Sequence, residues 1–217
     1  MYQHFTITKC NWQLLWRNRS FRYKLFIGIF LITIILICFP YFFQYVEQRN
    51  GVALSDVVLY IIPTYDVSAP IFISMWSSSF LMLLTAVKKP EILLTFLIAY
   101  VILCLCRLAT IFLFPLEAPQ GLIELTDPLS NSFYGASFIT KDLFFSGHVS
   151  TLFLMYLCQS NRSLRYHTMI VCILVAILVL VQHIHYTIDV LFAFPFAYAC
   201  FVTSKKIINI NHNYINY

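Results

Sequence analysis

Six apolar runs separated by polar stretches set the pattern of the chain: Leu25–Phe43, Pro70–Val87, Ile92–Phe114, Leu143–Gln159, Thr168–Gln182 and Val190–Val202. A helix needs about 20 mostly apolar residues to cross the hydrocarbon core of a bilayer. The pattern therefore predicts an all-α, polytopic membrane protein, a bundle of six transmembrane helices. The last two runs are short for a span unless the polar stretch between them is also helical. Val57 to Ile62 is apolar but too short to span, and predicts an interfacial helix ended by the turn Pro63-Thr64-Tyr65-Asp66. Pro40 falls near the far end of the first run, where a kink costs least, and Ser77, Ser78 and Ser79 suit close helix packing. Three parts follow: a basic N-terminal segment 1–24, a membrane domain 25–203 and a short tail 204–217. The Asn- and Ile-rich stretch Ile207 to Tyr217 is expected to be disordered.

Composition agrees: 11% of the residues are charged and 60% are hydrophobic, against about 25% charged in a soluble domain. The net charge of +5 would suit nucleic acid if it were spread over one surface, but it is not. Apart from Arg49, Arg107 and Lys141, every basic residue lies in the N-terminal segment, at Lys88-Lys89, at Arg162 and Arg165, or at Lys205-Lys206. These are alternate loops. The bias of basic residues toward the cytoplasm then places both termini inside, and no nucleic-acid partner is expected. Met1 to Lys24 lacks a small-residue cleavage site after the first apolar run and is not expected to be a cleavable signal. Of the seven cysteines, all but Cys10 lie in apolar runs and none has zinc-type spacing. They read as packing residues rather than a disulfide or metal framework.

The candidate chemistry falls on the opposite, non-cytoplasmic face. Arg107 is a lone cation in the outer part of the third run, which favours anion binding or a buried ion pair. Pro115 to Lys141 is long for a loop in a compact protein, and such loops are usually functional. In Asp142-Leu143-Phe144-Phe145-Ser146-Gly147-His148, Ser146 reads as a helix N-cap. Gly147 opens the first turn to close approach, and a helix N-terminus with free N–H groups binds phosphate. His148 projects from that turn. In His185-Tyr186-Thr187-Ile188-Asp189, the histidine and aspartate at i and i+4 share one face of a helix. The carboxylate would fix the imidazole tautomer and leave the other nitrogen as a nucleophile. His183 is two residues off and reads as interfacial. Taken singly, the first motif also fits an ordinary capped helix and the second a structural polar pair. A haem held by His148 and His185, or a transport or scaffold bundle, are readings of another class; haem ligation would need neither Asp189 nor Ser146-Gly147.

Together the motifs resemble the type 2 phosphatidic acid phosphatase superfamily, most closely its sphingomyelin synthase-like branch. The pattern D-x-x-F-S-G-H-T is read as Asp142, Phe145, Ser146, Gly147, His148 and Val149. H-[YH]-T-x-D-V is read as His185, Tyr186, Thr187, Asp189 and Val190. P-L-P-D is partly matched by Pro63 and Asp66, and R-x-x-T by Arg107 and Thr110. The resemblance runs from about residue 60 to 202. Val149 stands where the family has Thr, Thr140-Lys141 where it has Cys-Gly, and neither K-x6-R-P nor an S-R before His185 is present. The resemblance implies six helices, a triad of His148, His185 and Asp189, and no metal or other cofactor. It implies a phospholipid or sphingolipid substrate in the membrane and phosphoryl transfer to a lipid alcohol or to water. Arg107, Lys141, Ser146 and Gly147 would hold the phosphoryl oxygens. The role of Lys141 is suggested by its place seven residues before His148.

Overall fold

The computed structural model describes residues 12–125 and 139–208. It contains eight helices among them: α1 Trp12–Arg17, α2 Arg19–Gln48, α3 Val57–Ile61, α4 Ser68–Lys88, α5 Pro90–Leu113, α6 Gly147–Cys158, α7 Arg162–Val181 and α8 Thr187–Ile208. No strand occurs among the described residues; one isolated bridge joins Val52 to Leu116.

Five of these helices, α2, α4, α5, α7 and α8, are long and apolar enough to cross a membrane. The chain is an integral multi-pass membrane protein. The fourth expected span departs from the pattern. Leu143 to Ser146 is not helical, and α6 has only 12 residues, about 18 Å at the rise of an α-helix. The last two expected spans are longer than their apolar runs: α7 begins at Arg162 and α8 takes in Thr187 to Asp189. The first helix also outruns its apolar stretch, passing through Pro40 to Gln48. The expected interfacial helix is α3, with Asp56 accepting from Val58 N and Leu59 N as its N-cap. Val57, Tyr60 and Ile61 on it are largely exposed. The tail is helical to Ile208; the rest of the stretch expected to be disordered lies outside the described residues, as do 126–138 of the long loop.

Short α6 sits at the centre, packed on α4, α5, α7 and α8. Val149, Leu152 and Leu154 from it join Cys172, Val175 and Val179 of α7 and Ala193 and Ala197 of α8 in the main core, all fully buried. The helix α2 lies outside, its Ile35, Phe39, Phe43 and Val46 packing on Val101, Cys104 and Ile111 of α5. Outward-facing Phe26, Phe30, Ile37, Ile73, Ile170, Ile177 and Leu191 remain exposed, as a lipid-facing surface requires.

The two ends of the bundle differ in charge. At one end, Lys24 Nζ donates to Ile208 O, Lys89 Nζ to Ser160 Oγ and Trp12 Nε1 to Val87 O, which gathers the basic loops. At the other end lie the three basic residues that broke the pattern, and each has a partner. Arg49 donates to the carbonyls of Ile111 and Phe112, closing the C-terminus of α5. A cation at the negative end of the helix dipole is favourable. Arg107 pairs with Asp142 and Lys141 with Glu117.

Candidate active site

Three segments meet at this second end. The first is the non-helical, bent stretch Asp142 to Ser146, which α5 holds by its side chains. Arg107 Nε donates to Phe145 O at 3.1 Å and Arg107 Nη2 to Asp142 Oδ1 at 2.5 Å, while Thr110 Oγ1, one turn on, donates to Phe144 O at 2.8 Å. With the carbonyls of Phe144 and Phe145 taken by α5, these two residues have no helical ladder to join, and the helix starts at Gly147. Ser146 is its N-cap, as expected, with Oγ 3.5 Å from Val149 N.

Gly147 is needed because Arg107 occupies its side-chain space: a Cβ there would fall on the guanidinium. The Arg107 cation therefore lies beside the first turn of α6, whose amides have no intrahelical acceptors. A guanidinium next to a helix N-terminus is a doubly favourable place for a phosphoryl group.

The second segment is the turn from α7 into α8. The helix α8 starts at Thr187, so His185 stands just before it. The predicted i,i+4 pair on one helix face is corrected to a pair across a helix start. Asp189 Oδ2 reaches back to accept from Tyr186 N at 2.9 Å, the return bond of a capping box. The same oxygen is 3.6 Å from His185 Nδ1, somewhat beyond hydrogen-bond length. The rings of His148 and His185 are neighbours, with centroids 6.1 Å apart and planes at 65°. Ser146 N donates to Asp189 O at 3.1 Å, which locks the two motifs together by backbone.

Asp189 and His185 are buried, at 0% and 3% exposure, and His148 is half-buried. Asp189 Oδ1 and His185 Nδ1 have no hydrogen-bond partner among the described residues. An ionised carboxylate buried this way is costly unless it faces a positive charge.

Lys141 takes a different part from the one its position suggested. Its ammonium donates to Glu117 Oε1 at 2.9 Å and to Arg49 O at 2.7 Å. The bond from Lys141, with one from Gly51 N–H, holds the Glu117 carboxyl below its ordinary pKa. His183 is buried rather than interfacial, its ring nitrogens 2.9 and 3.0 Å from Gln120 O and Ile62 O.

The third segment, missed in the sequence, is the loop before α3. Asp56 Oδ2 accepts from Thr187 N at 2.6 Å, and its Oδ1 accepts from Thr187 Oγ1 at 3.0 Å. The Tyr186 hydroxyl accepts from Leu54 N at 3.2 Å and donates to Glu117 O at 3.0 Å. Glu47, at the end of α2, accepts from Thr140 N, Thr140 Oγ1 and Lys141 N. An Asp ahead of an apolar stretch signals a cap, but nothing in the sequence ties position 56 to 187. A cavity of about 620 Å³ opens over this loop, lined by Asp56, Tyr60, Gln120, His183 and Tyr186 and by none of the triad.

A protein-family model described as PAP2 superfamily C-terminal matches residues 141–206. The matched stretch holds His148, His185 and Asp189 and leaves out Arg107, and it supports the PAP2 superfamily, whose members act on lipid phosphates as phosphatases or phosphotransferases. No curated protein matches the chain.

Proposed function

We propose that the chain is a membrane lipid phosphotransferase that works by double displacement at His185. The observation that carries the reading is the meeting of His148, His185 and Asp189 beside the Arg107 guanidinium and the N-terminus of α6. The free ring nitrogen of His185, Nε2, attacks the phosphorus of a phospholipid head group. The bond from phosphorus to the lipid oxygen breaks, and protonated His148 gives its proton to that oxygen. Asp189 stabilises the imidazolium formed, closing its 3.6 Å gap as catalytic contacts do in the reacting complex. In the second half, His148 takes the proton of an acceptor alcohol, whose oxygen displaces His185 from phosphorus. Arg107 and the amides of Gly147 and His148 hold the phosphoryl oxygens.

The acceptor in this reading is a lipid alcohol of the ceramide or diacylglycerol kind, as the sphingomyelin synthase-like pattern of the motifs suggests, and the site faces the non-cytoplasmic side. The burial of His185 and the rings of Phe114, Phe192 and Phe196 around Phe144 favour an apolar acceptor over bulk water. The test is a head-group transfer assay in defined lipid, with and without added lipid alcohol. A new phospholipid formed only when the alcohol is present supports transfer. Release of free phosphate or free head-group phosphate alone would assign water as the acceptor. No turnover of any phospholipid would overturn the reading.

A further inference from the structure

We infer that Asp56 is a positioning residue for the triad, acting through the first turn of α8; the inference rests on the function proposed above. Asp56 comes from the loop before α3, far from the motifs in sequence. It caps α3 through Val58 N and Leu59 N, at 3.0 and 3.3 Å. The same carboxylate accepts the Thr187 N–H and hydroxyl. Thr187 lies midway between His185 and Asp189.

The first turn of α8 presents N–H groups that need acceptors. Two carboxylates divide them: Asp189 takes Tyr186 N and Asp56 takes Thr187 N. This division leaves Asp189 beside His185. Without the Asp56 carboxylate, Thr187 N–H is left unpaired, and the nearest carboxylate on its own turn is Asp189. A swing of Asp189 toward that amide takes it away from His185 Nδ1. A displacement on the order of 1 Å at a catalytic pair costs about 100-fold in rate. The loop is also fastened independently of Asp56, through Leu54 N on the Tyr186 hydroxyl, so removing the carboxylate need not detach it.

The experiment uses the full chain in mixed micelles. Asp56→Ala and Asp56→Asn are compared with wild type and with Asn161→Ala, which removes a cap of the same geometry at the other end of the bundle (Asn161 Oδ1 on Ser163 N and Leu164 N at 2.9 and 3.3 Å). Asp56→Ala is expected to lower kcat by about 100-fold with KM within about twofold, and to shift the pH dependence of kcat. Asp56→Asn, which keeps one acceptor oxygen, is expected to fall between. Asn161→Ala is expected to match the loss of melting temperature but keep kcat and the pH profile. Hydrogen exchange over residues 184–190 is expected to rise in Asp56→Ala and not in Asn161→Ala. An unchanged kcat and exchange rate in a folded Asp56→Ala protein overturns the inference. If Asp56→Ala does not fold, Asp56→Asn with wild-type kcat and pH profile does the same. Inactive wild type with raised exchange in Asp56→Ala would instead count against the proposed function and leave the positioning intact.

Discussion

Replacing Gly147 by Ala is the smallest change that reaches the proposed phosphate cradle. In an ordinary helix interior it would stabilise by up to about 1 kcal/mol, and at a first position by less. Here the new methyl must displace the Arg107 guanidinium. Displacement breaks the pair with Asp142 and the bond to Phe145 O. Hydrogen bonds to charged groups contribute about 1.5–3 kcal/mol each. Asp142 is a third exposed, so water recovers part of its bond. The expected net loss is about 2–4 kcal/mol of stability. With the guanidinium moved off the phosphoryl site, kcat/KM is expected to fall by about 10²–10³. The assay pairs thermal melting with head-group transfer in the same micelles, in a double-mutant cycle with Arg107→Ala. If the cost of the methyl is its collision with Arg107, Gly147→Ala costs little or nothing once Arg107 is gone. Penalties that simply add, to within about 0.5 kcal/mol, or a Gly147→Ala protein with wild-type melting and turnover, would refute the packing argument.

Three further outcomes follow from the same contacts. Asp189→Asn is expected to keep the fold, because an amide oxygen still accepts from Tyr186 N, but to slow turnover by about 10³–10⁴; near-wild-type kcat would remove Asp189 from the triad. For Asp56, burial raises the carboxyl pKa, but bonds from Thr187, Leu59 and Val58 outweigh it and hold it below its ordinary value of 3.8; Glu117 is likewise held below 4.5 by Lys141 and Gly51. Their stability is thus present above the ordinary carboxyl values and lost as pH falls through the lower folded ones. Melting temperature should be flat on the neutral side and drop at acid pH, with a smaller drop in Asp56→Asn; an identical acid limb in that variant would contradict the linkage. Cysteine at Gln120 should react with an impermeant thiol reagent from the non-cytoplasmic side and cysteine at Ser163 should not; reversed labelling would invert the topology.

The hydropathy pattern carried the long helices because a buried or lipid-facing helix needs little beyond an apolar run of sufficient length. It misjudged the fourth span for a local reason. Leu143, Phe144 and Phe145 are as apolar as any helix, but Arg107 and Thr110 claim the carbonyls of Phe144 and Phe145. Side-chain competition for backbone acceptors leaves no mark on hydropathy. The cap at Ser146 was legible because it is local chemistry. The meeting of His185 and Asp189 survived a wrong helix boundary, since Asp189 reaches the residues before its helix by turning back over the first turn. Lys141 was read by distance along the chain, whereas its partners, Glu117 and Arg49, come from two other loops. Asp56 and the Tyr186 hydroxyl act across more than a hundred residues, and no local pattern marks such contacts.

In the proposed reaction His185 bears the phosphoryl group. A phosphodiester with a nitrophenol leaving group removes the need for a general acid in the first step, while the second step still needs His148 as base. His148→Ala with this substrate is expected to give a burst of nitrophenol and a phosphoryl adduct that accumulates and maps by mass spectrometry to His185. His185→Ala is expected to give neither burst nor adduct. An adduct on His148, or one trapped in the absence of His185, would overturn His185 as the nucleophile and exchange the roles of the two histidines.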